Sequence, residues 1–131
     1  MKTKHFFAVA LPLLVMLFAV SCNSNKPQEP TSYEDAKNMV FQLYGTETVD
    51  IYMAPAILSA NSIIYTWNDS VVSPKQDCWY IFVDKEPLAN WGHPCDYVFI
   101  TQEKGLVVVE HRIFPPKEEK ALELVSQHTT D

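Results

Sequence analysis

Cys78-Trp-Tyr-Ile-Phe-Val-Asp84 and, one connection later, Tyr97-Val-Phe-Ile100 are runs in which apolar side chains follow one another without alternation. A strand covered on one face alternates apolar and polar residues. A strand that is apolar at nearly every position is covered on both faces and belongs in the middle of a sheet. Gln102-Glu-Lys-Gly105 supplies turn chemistry directly after the second run, and the apolar stretch Leu106 to Val109 follows it. Residues 95–101 and 106–113 are therefore predicted to form a hairpin.

Upstream, the pattern changes period. Thr31-Ser-Tyr-Glu34 has the form of a capping box, with Thr31 at the N-cap and Glu34 three residues later. Ala36, Met39, Val40, Leu43 and Tyr44 then fall on one helical stripe, and Gly45 is placed to end it. The spacing predicts one amphipathic helix over about 32–44, facing the sheet through Met39, Val40 and Leu43. After Gly45 the period becomes two at Val49, Ile51 and Met53, until Ala54-Pro55 breaks it. Residues 62–67 are β-branched and aromatic, 68–77 read as a loop, and Pro115-Pro116 stops the sheet. Lys117 to Val125 is predicted as a short surface helix with Ala121, Leu122 and Val125 on its apolar side, followed by a polar tail.

The expected fold is α+β: an N-terminal helix packed on a small antiparallel sheet of about four strands, in two layers over 32–116, with a short C-terminal helix and tail over 117–131. The apolar second face of the central strands leaves two alternatives. It is covered by the 54–61 and 84–94 segments, or it is a docking surface.

Composition narrows the function without choosing one. The 131 residues suit a single domain, and 47% are apolar, enough for a real core. Three Gly against nine Pro leave no Gly-rich phosphate cradle. Ten basic against 16 acidic residues argue against a nucleic-acid binder.

The first residues carry an address. Met1-Lys-Thr-Lys-His5 is a short basic region, and Phe6 to Val20 is an apolar run broken only by Pro12. That run is shorter than the roughly 20 residues a membrane-crossing helix needs, and a secretory signal over 1–21 fits it better. Ala19-Val20-Ser21-Cys22 resembles the lipobox of bacterial lipoproteins, although Ala19 stands where Leu is commonest. The resemblance implies cleavage before Cys22 and acylation of that cysteine. More than one acyl chain gives stable anchoring, because each buried CH₂ contributes about 0.8 kcal/mol. Cleavage removes Lys2 and Lys4 and no acid, leaving eight basic and 16 acidic residues, a net charge of −8. Asn23 to Pro30 is polar with two prolines, so 22–31 reads as a tether.

With Cys22 lipidated, Cys78 and Cys95 remain as a pair in an oxidising compartment. A disulfide and two buried thiols are both open. In an antiparallel pair the starts of two strands lie at opposite ends, so a bridge would need parallel strands or a curled loop. His93 stands two residues from Cys95, but Pro94 stiffens the backbone between them and a nucleophile also needs an orienting group. Cys78, His93, Cys95 and His111 lack the close ligand spacing of a zinc site. No catalytic residue, metal or cofactor is expected. The unusual stretch is Asp84-Lys-Glu-Pro-Leu-Ala-Asn-Trp-Gly-His-Pro-Cys95, far longer than the two to five residues of a simple hairpin loop. It is read either as a lid whose Trp91 covers the second face of the sheet or as a partner-binding surface through Trp91 and His93.

Trp79-Tyr-Ile-Phe-Val-Asp84, followed by Pro87, Ala89-Asn90-Trp91, His93-Pro94-Cys95, Tyr97 and Phe99, resembles a module of secreted proteins from Gram-negative gut-type bacteria. In some of these it precedes a legumain- or caspase-like cysteine peptidase domain. Tyr97, Phe99, Thr101, Gly105 and Val107 also resemble the closing hairpin of PepSY-type and protease-propeptide domains. The resemblance spans about 32–113 and implies a propeptide-like, non-catalytic domain. Since no peptidase domain follows in this sequence, the module is expected to act alone or in trans. The resulting expectation is a lipid-anchored protein of a Gram-negative cell envelope that binds, or inhibits, a secreted cysteine peptidase through the 84–95 loop or a sheet edge. The alternative is a structural or accessory lipoprotein with no peptidase partner.

Overall fold

The computed structural model describes residues 29–127. The chain runs through helix α1 (Tyr33–Tyr44) and strands β1 (Asp50–Met53), β2 (Ile63–Tyr65), β3 (Ser70–Val72), β4 (Cys78–Asp84), β5 (Cys95–Thr101) and β6 (Val107–Arg112). A 3-10 turn at Glu119–Ala121 then leads into β7 (Glu123–Ser126). Five strands form an antiparallel sheet in the order β6-β5-β4-β1-β7, and β2 and β3 form a separate hairpin.

This corrects the expected architecture. Instead of one helix on about four strands, the described residues are mostly sheet, with seven strands and one short α-helix among them. The reason lies in the two runs that opened the sequence. All seven residues of β4 and all seven of β5 are buried, so both faces of the sheet need cover. On the first face, Ala36, Val40 and Tyr44 of α1 pack on Ile51, Met53, Ile81, Val83, Val98 and Ile100. On the second, Tyr80, Phe82, Tyr97 and Phe99 form an aromatic layer, with ring centroids 5.4–6.3 Å apart. Val71, Ile64, Ala54, Leu58 and Leu122 cover it. Of the two segments expected to cover this face, 54–61 contributes Ala54 and Leu58, and the β2–β3 hairpin stands where 84–94 was expected.

The second correction is at the C-terminus. The helix expected over 117–125 is replaced by the 3-10 turn and β7, which pairs with the free edge of β1 through Tyr52–Leu124 and Met53–Glu123. Edge pairing satisfies a row of backbone groups that a surface helix would have left open.

Helix α1 starts one residue later than the capping box suggested. Ser32 is the N-cap, and its hydroxyl accepts from the Asp35 amide at 3.1 Å. Residues Ala36, Val40 and Tyr44 are four apart and share the buried face, whereas Leu43, expected against the sheet, is 51% exposed. Gly45 ends the helix in a right-handed conformation. Its lack of a side chain serves close approach, because a Cβ there would lie 2.7 Å from the Phe41 carbonyl oxygen. The start of the domain is moored at the β5–β6 turn: the Thr31 amide donates to Gln102 O at 2.8 Å, and Trp79 Nε1 donates to Thr31 O at 2.8 Å.

Candidate functional site

The β4–β5 connection is polar and buried at its base, apolar and exposed at its tip. Asp84 closes β4, and its Oδ1 lies 2.8 Å from His93 Nε2 and accepts from the Glu86 amide at 3.0 Å. The other ring nitrogen of His93 faces the Trp91 carbonyl oxygen at 2.6 Å, and the His93 amide donates to Ile113 O at 2.7 Å. His93 is therefore buried, with ring and backbone both engaged. Gly92 allows the close approach beside it, since a Cβ there would meet the Phe114 ring at 3.0 Å and Ile113 O at 3.2 Å.

With the loop pinned through Gly92 and His93, its large side chains turn outward. Trp91 is 72% exposed and Leu88 76%. The lid reading of Trp91 is thus overturned: the second face is already covered, and the indole stands in water. Of the two residues singled out for partner contact, Trp91 is accessible, and His93 holds the loop that carries it.

The structure does not bring Cys78 and Cys95 together. Strand register sets Cys78 opposite Thr101 and Cys95 opposite Asp84, six positions further along β4. At about 3.3 Å per residue the two lie about 20 Å apart, well beyond the reach of a disulfide. Both are free and buried. Burial, with the charges of Asp84 and Asp96 adding to it, pushes the Cys95 thiol up to about 12. Burial, then Asp77, pushes Cys78 to about 11. Cys95 Sγ donates to Phe114 O at 3.4 Å, and His93 Nε2 is engaged with Asp84, so the thiol is protonated and has no imidazole base in contact. Cys78, His93, Cys95 and His111 do not converge. Among the described residues no group of three His, Cys, Asp or Glu side chains could hold a metal ion.

A second polar centre, on the opposite face, escaped the sequence reading. Asp96 is 2% exposed and takes three donors: Tyr44 Oη at 2.6 Å, His111 Nδ1 at 2.5 Å and Lys85 Nζ at 3.2 Å. Burial alone would raise its pKa, but the hydrogen bonds from Tyr44, His111 and Lys85 outweigh it and hold the carboxyl below the usual range. The available signal was an acid at the head of an otherwise apolar strand. Its partners lie on three other elements, so spacing could not name them.

Cys22 lies outside the described residues. Among those residues, no helix is long and apolar enough to cross a membrane. Compared with known proteins, the chain matches no protein-family model, no curated protein and no solved structure.

Proposed function

We propose that this protein is a non-catalytic binding module, lipid-anchored at Cys22 in a bacterial cell envelope, which meets its partner through Trp91 and Leu88. The observation that carries the reading is the exposed indole on a loop braced by the buried His93–Asp84 contact. Large aromatic side chains dominate binding energy at protein interfaces, and a loop already fixed loses little entropy on docking. The lipobox-like Ala19-Val20-Ser21-Cys22 supports the anchor, and a protonated, buried Cys95 supports a non-catalytic role.

The partner class implied by the 79–99 resemblance is a secreted legumain- or caspase-like cysteine peptidase. The test is a titration of the purified full chain, carrying Cys22→Ala, against a secreted peptidase of that class, following both binding and peptide hydrolysis. Trp91→Ala should weaken binding about 30-fold, the equivalent of losing about 2 kcal/mol, with an unchanged melting temperature. Binding unaffected by Trp91→Ala would remove the loop from the interface. No binding to the peptidase at all would favour an accessory lipoprotein.

A further inference from the structure

An apolar groove of about 620 Å³ opens on the second face of the sheet, away from the 85–94 loop. Its walls are Ala54 and Leu58, the hairpin residues Ile63 and Tyr65, and Pro116 and Leu122 of the returning chain; Tyr80 of β4 lies at its floor. Ile63 and Tyr65 are more than half exposed, so the outer wall leaves apolar surface in water.

The floor carries an anomaly. Tyr80 is 6% exposed, and its ring stacks on Tyr97 and Phe99. Its hydroxyl oxygen is buried and has no hydrogen-bond partner among the described residues. Buried hydroxyls are nearly always partnered. The neighbouring phenol shows the ordinary solution, since Tyr97 Oη donates to Phe114 O at 2.7 Å. Tyr80 lines the groove, and an apolar groove whose lining residue carries an orphan donor just beneath its surface fits the pattern of small-molecule sites: a few hundred cubic ångströms, mostly apolar, with very few polar groups that fix orientation.

We propose that this groove binds a neutral, largely apolar small molecule that brings one hydrogen-bond acceptor, a carbonyl or ether oxygen, to Tyr80 Oη. The acceptor follows from the phenol. Burial, reinforced by Tyr97, Cys95 and Glu119, keeps Tyr80 protonated. A ligand that only donated would leave the O–H proton unmatched. Neutrality follows from the surroundings. Glu118 lines the groove and Glu119 acts electrostatically on Tyr80, against Lys117 as the cation in the wall. An anionic head would meet net repulsion at the mouth, and a cationic one would be stripped of water beside a donor.

The test uses the full chain with Cys22→Ala, so that no acyl chain competes. Two probes differ only in the acceptor: 4′-(trifluoromethyl)acetophenone and 1-isopropyl-4-(trifluoromethyl)benzene, each titrated by ¹⁹F NMR. The ketone should bind about tenfold more tightly, the worth of one net hydrogen bond. Tyr80→Phe keeps the stacked ring and should abolish that difference while melting no lower than the parent. Ala121→Trp, which fills the groove from its exposed side, should abolish binding of both probes, and Trp91→Ala should leave both affinities unchanged. Equal affinities in the parent chain, a difference that survives Tyr80→Phe, or no ketone binding at millimolar concentration would each overturn the proposal. So would a Tyr80→Phe chain that melts lower, because the hydroxyl would then already be satisfied. None of these outcomes bears on the peptidase titration, so the two readings fail separately.

Discussion

Tyr44, the last residue of α1, donates its phenol proton to Asp96 Oδ2 at 2.6 Å, across 52 positions of sequence. The contact ties the end of the helix to the head of β5 beneath an otherwise apolar layer.

Tyr44→Phe should keep the packing and remove only this bond. Hydrogen bonds to charged acceptors contribute about 1.5–3 kcal/mol, so a loss in that range is expected in urea unfolding. An unchanged midpoint would mean that apolar contact alone holds the helix.

The acid limb of stability should report Asp96. Its carboxyl is depressed in the folded protein because Tyr44, His111 and Lys85 overcome the effect of burial. A depressed folded pKa gives stability that is present above the unfolded value, about 3.9, and is lost as pH falls through the folded one. Asp96→Asn should therefore flatten the loss of stability below about pH 4. A chain whose acid limb is untouched by this change would place the responsible carboxylate elsewhere.

The two named residues of the 85–94 loop should behave oppositely. Trp91→Ala removes an exposed side chain and should change folding stability by no more than about 0.5 kcal/mol. His93→Ala strips Asp84 of its ring contact and unpins the Trp91 carbonyl, and should cost about 1–3 kcal/mol. Calorimetry of both variants checks the ordering. A large loss from Trp91→Ala would restore the lid.

Both core thiols should be free and slow to react. Intact mass under non-reducing conditions should show no Cys78–Cys95 bridge, and alkylation at pH 8 should label them only after unfolding. Their raised values, about 11 and about 12 against 9.0, also set a sign. Stability is fully present below the unfolded thiol pKa and is lost as pH rises toward the folded values. A protein equally stable at pH 8 and pH 10.5 would contradict that placement.

Lipidation should be visible directly. The membrane-extracted mature chain should begin at Cys22 and carry acyl mass, and Cys22→Ala should appear in the soluble fraction or remain uncut. An unmodified Cys22 in the extracted protein would refute the anchor.

What the sequence revealed was what neighbouring residues decide among themselves. The helix over Tyr33–Tyr44 and the central strands β4 and β5 were legible because a stripe or an unbroken apolar run is a local pattern. The hairpin Cys95–Thr101 to Val107–Arg112 was legible because the Gln102-Glu-Lys-Gly105 turn follows an apolar run and precedes another; the positive φ of Lys104 and Gly105, 67° and 58°, shows how the turn closes. β7 was not, since Ala121, Leu122 and Val125 match helical spacing and only the distant edge of β1 makes that segment a strand. The outward turn of Trp91 depends on Gly92 lying against Phe114, a contact formed after the chain has crossed the sheet once more. The groove over Tyr80 is likewise assembled from three separated stretches, none of which carries a motif.

The mooring of Thr31 beside Gln102 gives the molecule a polarity. The chain enters the sheet at the Cys78–Thr101 end of the central ladder, while the loop bearing Trp91 springs from the Asp84–Cys95 end, about 20 Å away along the strands. Under the anchoring proposed at Cys22, those two ends would be proximal and distal poles. A partner arriving from the aqueous side could clasp the distal pole without displacing the leash or crowding the lipid headgroups. The leash and the indole could then be engaged together.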